Sequence, residues 1–296
     1  MRIRIGSRGS DLALWQANFV KDQLENLGHE VEIQVIKTKG DKIQNLSFDK
    51  IEGKGFFTKE IEEALLSKEV DLAIHSHKDL ETTPPEGLVI GAVSYREDPT
   101  DLMLIRKESF DGSKALGVKD GGIIGTSSAR RQSLVRNMRP DAELKDLRGN
   151  VPTRINKLRD GNYDAIILAS AGIKRLELDT SDLETITLNE QEFVPAPAQG
   201  VLALQIREGD NEIAAVMQEL HHPNVQEEIH IEREILRRLE GGCQLPLGAH
   251  CKKTEGNFNL FLSIAGDKSG TAEIKEFNGS SSNELIEEAL TFISSI

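Results

Sequence analysis

Cys243, which follows two glycines, is the side chain in this sequence best suited to covalent chemistry. Gly241 and Gly242 give the backbone access to positive φ, and Pro246 removes a backbone donor, so neither a helix nor a strand continues through this segment. A thiol presented by a loop can act as a nucleophile or as an attachment point. The simpler alternative is a buried, inert cysteine in a turn, which is how we interpret Cys251.

A second feature suited to chemistry is an arginine-rich segment in an otherwise acidic chain. The 296 residues carry a net charge of -13, yet residues 125–160 contain nine basic and four acidic side chains. The planar guanidinium group suits bidentate binding of carboxylate or phosphate. The segment therefore predicts a specific polyanionic ligand, and Arg136, Arg139, Lys157 and Arg159 are interpreted as solvated helix faces.

A third feature is a cluster of polar residues directly after an apolar stretch at 72–74. His75, Ser76, His77, Lys78 and Asp79 would lie at the carboxyl end of a strand, where open α/β sheets usually bind ligands. Strict alternation along a strand would place His75, His77 and Asp79 on one face, so a metal site is an alternative interpretation.

These side chains need elements that position them, and one layout occurs three times. A strand, a short polar turn and a helix surround Arg8, and the same order recurs around Thr126 to Arg131 and around Arg148 to Arg154. Helix starts of this kind direct backbone N–H groups toward an anion. Ser128 and Asn150 are the expected helix caps.

Two proline-containing segments, 96–101 and 193–200, interrupt the α/β pattern and indicate chain crossings between domains. We predict one discontinuous α/β domain formed by residues 1–97 and 198–217, a second α/β domain at 98–197, and a small α+β domain at 218–296. The polar stretch at 42–55 is a candidate mobile loop.

Composition excludes several classes of protein. An acidic surface disfavours nucleic acid, and the apolar run from Ala165 to Ile173 is too short to cross a bilayer. The first residues lack a signal-peptide apolar core, and two cysteines in a chain of this size are expected to be reduced. We therefore expect a cytoplasmic protein without nucleic-acid or membrane partners, and a monomer.

Taken in order, several motifs resemble one family, the hydroxymethylbilane synthases, also called porphobilinogen deaminases. Any one motif is weak, whereas the ordered set is specific and spans nearly the whole chain. The motifs are the turn at 6–10, Leu12 to Gln16, Thr38 to Asp41, Gly53 to Phe57, His75 to Asp79, Gly125 to Gln132, Leu147 to Arg154, Pro195 to Gly200 and Glu240 to Pro246.

The resemblance implies two α/β domains similar to type 2 periplasmic binding proteins around a cleft, plus a third domain carrying the cysteine. It implies a transferase that joins four porphobilinogen units head to tail on a dipyrromethane cofactor, which a thioether would link to Cys243. Asp79 matches the catalytic carboxylate. The positions matching cofactor and substrate contacts are Arg8, Gln16, Lys54, Phe57, Ser76, Lys78, Thr126, Ser128, Arg130, Arg131, Arg148 and Arg154.

The residues leave other functions open beside this one. A non-catalytic two-lobed module for anions would need the arginines but neither Asp79 nor a modified Cys243. A thiol hydrolase pairing Cys243 with His250 would need an oxyanion element that the sequence does not show. One departure from the family pattern is His77, where many relatives have methionine.

Overall fold

The computed structural model describes residues 1–38, 58–239, 245–267 and 269–296. They form two compact units, each assembled from two stretches of chain. Unit 1 contains Met1–Arg96 and Val201–Gln226, and unit 2 contains Glu97–Gly200 and Glu227–Ile296. The chain therefore passes between the units at the two proline-containing segments and once more inside a helix.

The strands in chain order are β1 (Arg2–Ser7), β2 (Glu30–Val35), β3 (Leu72–Ser76), β4 (Leu88–Val93), β5 (Asp101–Arg106), β6 (Ile123–Gly125), β7 (Glu143–Lys145), β8 (Ala165–Ala169), β9 (Leu183–Thr187), β10 (Leu202–Arg207), β11 (Leu247–Thr254), β12 (Asn257–Ile264) and β13 (Glu273–Gly279). The α-helices are α1 (Asp11–Asn26), α2 (Lys59–Leu66), α3 (Ala129–Met138), α4 (Val151–Arg159), α5 (Ser170–Arg175), α6 (Asn211–Leu220), α7 (Pro223–Arg238) and α8 (Ser282–Ile293).

Unit 1 is a five-stranded sheet in the order β2-β1-β3-β10-β4, with helices packed against it. β1 pairs in parallel with β2 and β3, whereas β10 runs antiparallel to β3 and β4. Ile3, Ile5, Leu72 and Leu204 belong to a core cluster on this sheet. Burial of these apolar side chains supplies most of the driving force that holds the strand ends in place.

Unit 2 contains a second sheet built to the same plan, in the order β7-β6-β8-β5-β9. β6 is parallel to β7 and β8, and β5 is antiparallel to β8 and β9. In both sheets the antiparallel strand is the first strand after the chain has entered the unit. The two sheets thus share a topology, although the sequence contains no corresponding repeat. This is possible because topology depends on which strands pair and not on the identity of their residues.

Unit 2 also contains a three-stranded antiparallel sheet, β11-β12-β13. Its core cluster includes Leu260 and Leu262 from β12, Ile235 from α7 and Leu285 from α8, all nearly inaccessible to solvent. The predicted α+β composition of the C-terminal region is confirmed for these elements. The three-domain division itself stays a prediction.

The strand, turn and helix predicted around Arg8, Thr126 to Arg131 and Arg148 to Arg154 all occur, as β1 with α1, β6 with α3 and β7 with α4. Strands β5, β9 and β11 were not predicted from the sequence. β9 and β11 mix polar and apolar residues, whereas β5 is an apolar strand that lies directly after the proline-containing segment at 96–101. β8 is parallel to β6 but antiparallel to β5. Among the described residues, no helix combines the length and apolar character that crossing a membrane requires.

Candidate active site

The polar cluster after β3 forms a tight turn. The strand ends at Ser76, and His77–Asp79 make one turn of 3₁₀ helix that is tied to the sheet by a hydrogen bond from the His77 N–H to the Val201 carbonyl (2.9 Å). His77 is buried, Lys78 is half-buried and Asp79 is exposed. The turn therefore presents the Asp79 carboxylate to solvent from a backbone that is anchored in the sheet.

The metal-site interpretation of this cluster was wrong in its premise. His75, His77 and Asp79 do not share a strand face, because the extended backbone ends one residue before His77. The ring of His75 is instead hydrogen-bonded to Gln205. Within the described ranges, no group of three or more His, Cys, Asp or Glu side chains has a geometry suited to a metal ion.

The turn around Arg8 lies on the same sheet. Ser10 caps α1 by accepting a hydrogen bond from the Ala13 N–H (3.4 Å), and Arg8 is half-buried beside it. Gln16, one turn further along α1, is buried and donates from Nε2 to the Ser76 hydroxyl (2.9 Å). The structure thus links two predicted site residues, Gln16 and Ser76, by a direct hydrogen bond.

In unit 2, the turn after β6 is organised by its hydroxyl groups, as the sequence predicted. Ser128 caps α3 and accepts from the Arg131 N–H (3.4 Å), while the Thr126 hydroxyl accepts from the Ser128 N–H (3.3 Å). The Thr126 N–H donates to Lys145 of the neighbouring β7 (2.9 Å). The start of α3 is therefore fixed by its own cap and by a bond from the Thr126 turn to the end of β7.

Arg130 and Arg131 follow this cap, and both are almost completely buried, with 4% and 6% of their surface exposed. They share one carboxylate, Asp101, whose two oxygens accept from Arg130 Nη2 (2.8 Å) and Arg131 Nη2 (2.7 Å). Their Nη1 atoms donate to the backbone carbonyls of Val194 (2.7 Å) and Ile167 (3.0 Å). Two guanidinium groups thus have one buried counter-charge between them.

Asp101 and Gln199 complete this cluster, and the sequence analysis assigned neither of them to the site. Gln199 donates from Nε2 to Asp101 (2.9 Å) and to the Pro99 carbonyl (2.7 Å). Asp101 is an acidic residue at the start of the apolar strand β5. Because an acidic residue is rarely fully buried unless it is paired, this position is the feature of the sequence that could have indicated a buried ion pair.

The charge state of the cluster follows from its geometry. Burial alone would raise the pKa of Asp101, but the charges of Arg130 and Arg131 and their hydrogen bonds lower that pKa well below its usual range. Burial lowers the pKa of Arg130 from its normal high value, against the attraction of Asp101. With Asp101 ionised and both arginines protonated, the cluster carries one net positive charge.

One donor in this cluster is left over once the bonds to the described residues have been assigned. The Nε atom of Arg131 is buried and has no hydrogen-bond partner in the part of the chain that the structure describes. Leaving a buried charged donor unsatisfied costs free energy, on the order of 1–3 kcal/mol. A carboxylate ligand would satisfy such a donor with a charge-assisted hydrogen bond.

The turn after β7 carries the remaining predicted arginines. Gly149 adopts a φ of 115°, which favours glycine, and Asn150 caps α4 by accepting from the Thr153 N–H (2.9 Å). Arg148 and Arg154 are half-buried on either side of this cap, and Arg154 donates from Nε to the Gly149 carbonyl (2.7 Å). Since β6 and β7 are parallel, this turn and the Thr126 turn lie at the same edge of the sheet.

One prediction about the basic segment was wrong. Arg139 is not on a solvated face: it is 5% exposed, pairs with Asp141 (2.7 Å) and donates to the backbone carbonyls of Ala115 (3.1 Å) and Val118. It ties down the 115–119 turn, which helical periodicity could not reveal. Arg159 is exposed and pairs with Asp182 (2.7 Å), in line with the predicted solvated face.

Several predicted site residues lie outside the described residues. These are Cys243, Lys54 and Phe57, together with the candidate loop at 42–55. Cys251 is buried on β11, which agrees with a structural role. His250 is buried beside the carboxylates of Glu232 (3.6 Å) and Glu190 (4.0 Å), inside the C-terminal sheet.

Fold and side chains together define a mixed α/β protein with two buried guanidinium groups that share one carboxylate. Two family models match this chain. One is described as porphobilinogen deaminase, dipyromethane cofactor binding domain, over residues 3–215, and the other as porphobilinogen deaminase, C-terminal domain, over residues 226–287.

Individual relatives agree with these models. The chain is 46% identical over 265 residues to the porphobilinogen deaminase of Syntrophobacter fumaroxidans, covering 89% of this chain and 84% of that protein. It is 43% identical over 276 residues to that of Nitratiruptor sp., covering 93% and 87%. Among solved structures, the periplasmic VFT2 domain of Bordetella pertussis BvgS aligns with a TM-score of 0.44 and 14% identity, covering 74% of this chain and 86% of that one.

The chain belongs to the porphobilinogen deaminase family. It is a transferase that polymerises porphobilinogen into hydroxymethylbilane and uses a dipyrromethane cofactor. Membership of this family disfavours the alternative of a non-catalytic anion-binding module.

Proposed function

We propose that Asp79 is the catalytic carboxylate of this reaction. When ammonia leaves porphobilinogen, positive charge develops on the pyrrole nitrogen, and a fixed carboxylate lowers the free energy of that state. Asp79 is suited to this role because it is exposed, while the turn that carries it is anchored through the His77 N–H to Val201, the residue directly before β10. Its side chain can therefore reach a substrate without a change in the backbone.

We further propose that the arginines bind the acetate and propionate groups of substrate and cofactor. The observation that carries this proposal is the buried Arg131 Nε without a partner among the described residues, since a carboxylate is the group that would satisfy it. Arg130 and Arg131 would hold such a group from the start of α3, and Arg148 and Arg154 from the start of α4. Arg8, Lys78, Thr126 and Ser128 would add contacts from the neighbouring turns.

The remaining predicted contacts are proposed by position alone. Lys54 and Phe57 would contribute a cation and an aromatic ring, and Gln16 would act through Ser76, to which it is bonded. When bound, dipyrromethane supplies the pyrrole carbon to which the first porphobilinogen unit is joined. The arginine clusters fit it, because each pyrrole carries two carboxylates and the described clusters offer net positive charge.

The first prediction concerns the attachment of the cofactor to Cys243. We expect the purified protein to be heavier than its sequence by two linked pyrrole units, with the added mass on the peptide containing Cys243. Cys243→Ser should abolish loading and activity, because an alkoxide is far harder to form than a thiolate at neutral pH. Intact mass and peptide mass spectrometry measure this.

The matched control for this experiment is Cys251→Ser, since Cys251 is the other cysteine of the chain and is buried on β11. We expect Cys251→Ser to keep the added mass. A fully active enzyme with an unmodified Cys243 would disprove the assignment of the cofactor to this residue.

A second prediction uses two arginines of one helix. Arg154 lies in the first turn of α4, next to the Asn150 cap, whereas Arg159 lies in its last turn and pairs with the exposed Asp182. Arg154→Leu should impair cofactor loading or early elongation, with at least a tenfold loss of activity, because charge-assisted hydrogen bonds to carboxylates contribute about 1.5–3 kcal/mol each.

Arg159→Leu should retain activity within about twofold of the unsubstituted enzyme, because exposed ion pairs contribute little. Activity assays combined with the mass of the loaded enzyme compare the two variants. Equal, mild effects of both substitutions would show that the basic segment is only a solvated surface. Arg154→Lys should recover only part of the activity, since lysine keeps the charge but lacks the planar fork.

We also propose the three-domain division given above, a monomeric state and a cytoplasmic location. Support for the division comes from the three separate sheets and from the boundary between the two family models at 215–226. Light scattering after gel filtration tests the monomer, and cell fractionation tests the location.

A further inference from the structure

A row of buried polar side chains crosses unit 1 and is not used by the proposed chemistry. His75 Nε2 is 3.1 Å from Gln205 Oε1, Gln205 Nε2 donates to Glu62 Oε1 (3.1 Å), and the Thr58 hydroxyl donates to Glu62 Oε2 (3.3 Å). None of the four side chains is more than 9% exposed. Burying this many polar groups costs free energy that an apolar core would not, so their retention calls for an explanation.

The sheet register explains why the first two members meet. His75 on β3 pairs with Ala203 on β10, and Ala73 pairs with Gln205. His75 and Gln205 are therefore diagonal neighbours, two residues apart on adjacent antiparallel strands, and their side chains project from the same face. Glu62 reaches this face from α2, a helix that packs on β1, β3 and β10.

The donors and acceptors of the row fix one state of the histidine ring. A carboxylate accepts hydrogen bonds and does not donate them, so the amide of Gln205 turns its NH₂ group to Glu62 and its oxygen to His75. That oxygen requires a donor, which places the ring proton of His75 on Nε2. Burial, together with the nearby charge of Arg8, lowers the pKa of His75 to about 4, although the hydrogen bond to Gln205 raises that pKa in part, so the ring is neutral at pH 7.

The position of His75 connects this row to the candidate active site. Ser76, the next residue, accepts from Gln16 and ends the strand, and the turn that presents Lys78 and Asp79 follows at once. A change in the orientation of the His75 ring would thus act on the last two residues of β3, directly before the turn. A displacement of about 1 Å in a reacting group can cost roughly 10²-fold in rate.

We propose that Gln205 is a positioning residue for the reaction: it holds His75 as the neutral Nε2–H tautomer in one orientation. It thereby fixes the end of β3, directly before the turn that presents Asp79. The inference rests on the proposed role of Asp79. Glu62 and Thr58 act through Gln205, because they orient its amide group.

The test compares the Gln205→Met variant with the parent enzyme, both in the cofactor-loaded form. Methionine keeps the length of the side chain but has no amide, so His75 loses its acceptor and Glu62 loses a donor. We expect kcat to fall about tenfold or more with KM within about threefold, since positioning affects the chemical step more than binding. ¹⁵N NMR of the histidine rings should show one Nε2–H tautomer for His75 in the parent enzyme and a mixture in the variant.

Three further variants separate positioning from stability. Gln205→Glu keeps an oxygen for His75, and a proton shared between its carboxyl group and Glu62 replaces the amide donor, so it should recover most of kcat. Thr58→Val preserves volume and removes only the last link, so it should lower kcat less and in the same direction. Gln34→Leu removes a half-buried glutamine of β2 that is bonded to Glu69, and it should leave kcat unchanged.

Two results would overturn the inference. One is an unchanged kcat per loaded Gln205→Met enzyme, even if its thermal stability falls. The other is a His75 ring that remains a single Nε2–H tautomer in that variant. The proposed role of Asp79 is tested by a different experiment, since normal turnover by Asp79→Asn would contradict it. The NMR measurement of the His75 tautomer does not depend on the role of Asp79.

Discussion

Asp101→Asn should destabilise the enzyme by about 3–5 kcal/mol and prevent normal cofactor loading, because it removes the counter-charge from a buried pair of arginines. Arg130 and Arg131 would be left as two adjacent positive charges, each almost fully buried, with only backbone carbonyls and an amide as acceptors. The resulting repulsion would displace the guanidinium groups that we propose to bind carboxylates. Thermal unfolding and the intact mass of the purified variant measure the two effects.

The pH dependence of this effect has a definite sign. The pKa of Asp101 is lower in the folded protein than in the unfolded chain, where an aspartate titrates near roughly 3.9. Its contribution to stability is thus fully present above that unfolded value and is lost as the pH falls through the folded value. The difference in melting temperature between the parent enzyme and Asp101→Asn should be constant above about pH 5 and narrow below about pH 4.

Asp182→Asn is the control for Asp101→Asn. Asp182 also pairs with an arginine, Arg159, but half of its side chain is exposed to solvent, where an ion pair contributes little. We expect near-normal stability and loading. If Asp101→Asn behaved in the same way, Asp101 would not position the arginines.

The parts of this structure that could be predicted from sequence are those that depend on near neighbours along the chain. Ser128 and Asn150 cap the predicted helices because a capping side chain bonds to a backbone N–H only three residues away. Glycine-rich and hydroxyl-rich turns after strands follow the same local rule. The predicted positions of Asp79 and of the arginines relative to strand ends were therefore correct.

The partners of these residues could not be predicted, because they are far away in sequence. Asp101 lies 29 and 30 residues from Arg130 and Arg131, and 98 residues from Gln199. Helical spacing placed Arg139 in solvent, whereas the turn at 115–119 folds over it and supplies its acceptors. Likewise, only the register of β10 against β3 reveals that Gln205 bonds to His75.

The shared topology of the two large sheets is a further property that residue patterns did not show. Each has one antiparallel strand inserted beside a parallel set, and that strand is the one by which the chain enters the unit. The inserted strands are β10 and β5, and β5 begins with Asp101. The strand by which the chain enters unit 2 thus places the carboxylate of Asp101 beside the arginines of α3. The topology of the sheet therefore determines the position of the counter-charge in the proposed binding site.

Asp79→Asn should lower turnover by about 10²-fold or more while the cofactor is still found on Cys243, because the substitution removes charge and keeps size and hydrogen bonding. The expected loss is large, since the carboxylate acts where positive charge develops during loss of ammonia and not where the ground-state ligand is held. Asp79→Glu should keep some activity, limited by a displaced carboxylate, and should accumulate enzyme carrying partly built chains.

Single-turnover kinetics, with mass analysis of enzyme-bound species, distinguishes these outcomes for both variants. Asp22→Asn, an exposed aspartate on α1, is the control and should leave the rate unchanged. Near-normal deamination by Asp79→Asn would refute the proposed role. Activity that disappeared on chelation and returned with a divalent ion would instead support a metal site at this turn. Such a site would have to form without His75, which lies on the strand and is bonded to Gln205. Because the Asp79 side chain is exposed and its turn is anchored through the His77 backbone N–H, we expect Asp79→Asn to fold normally, so that the measured loss of rate reports the missing charge.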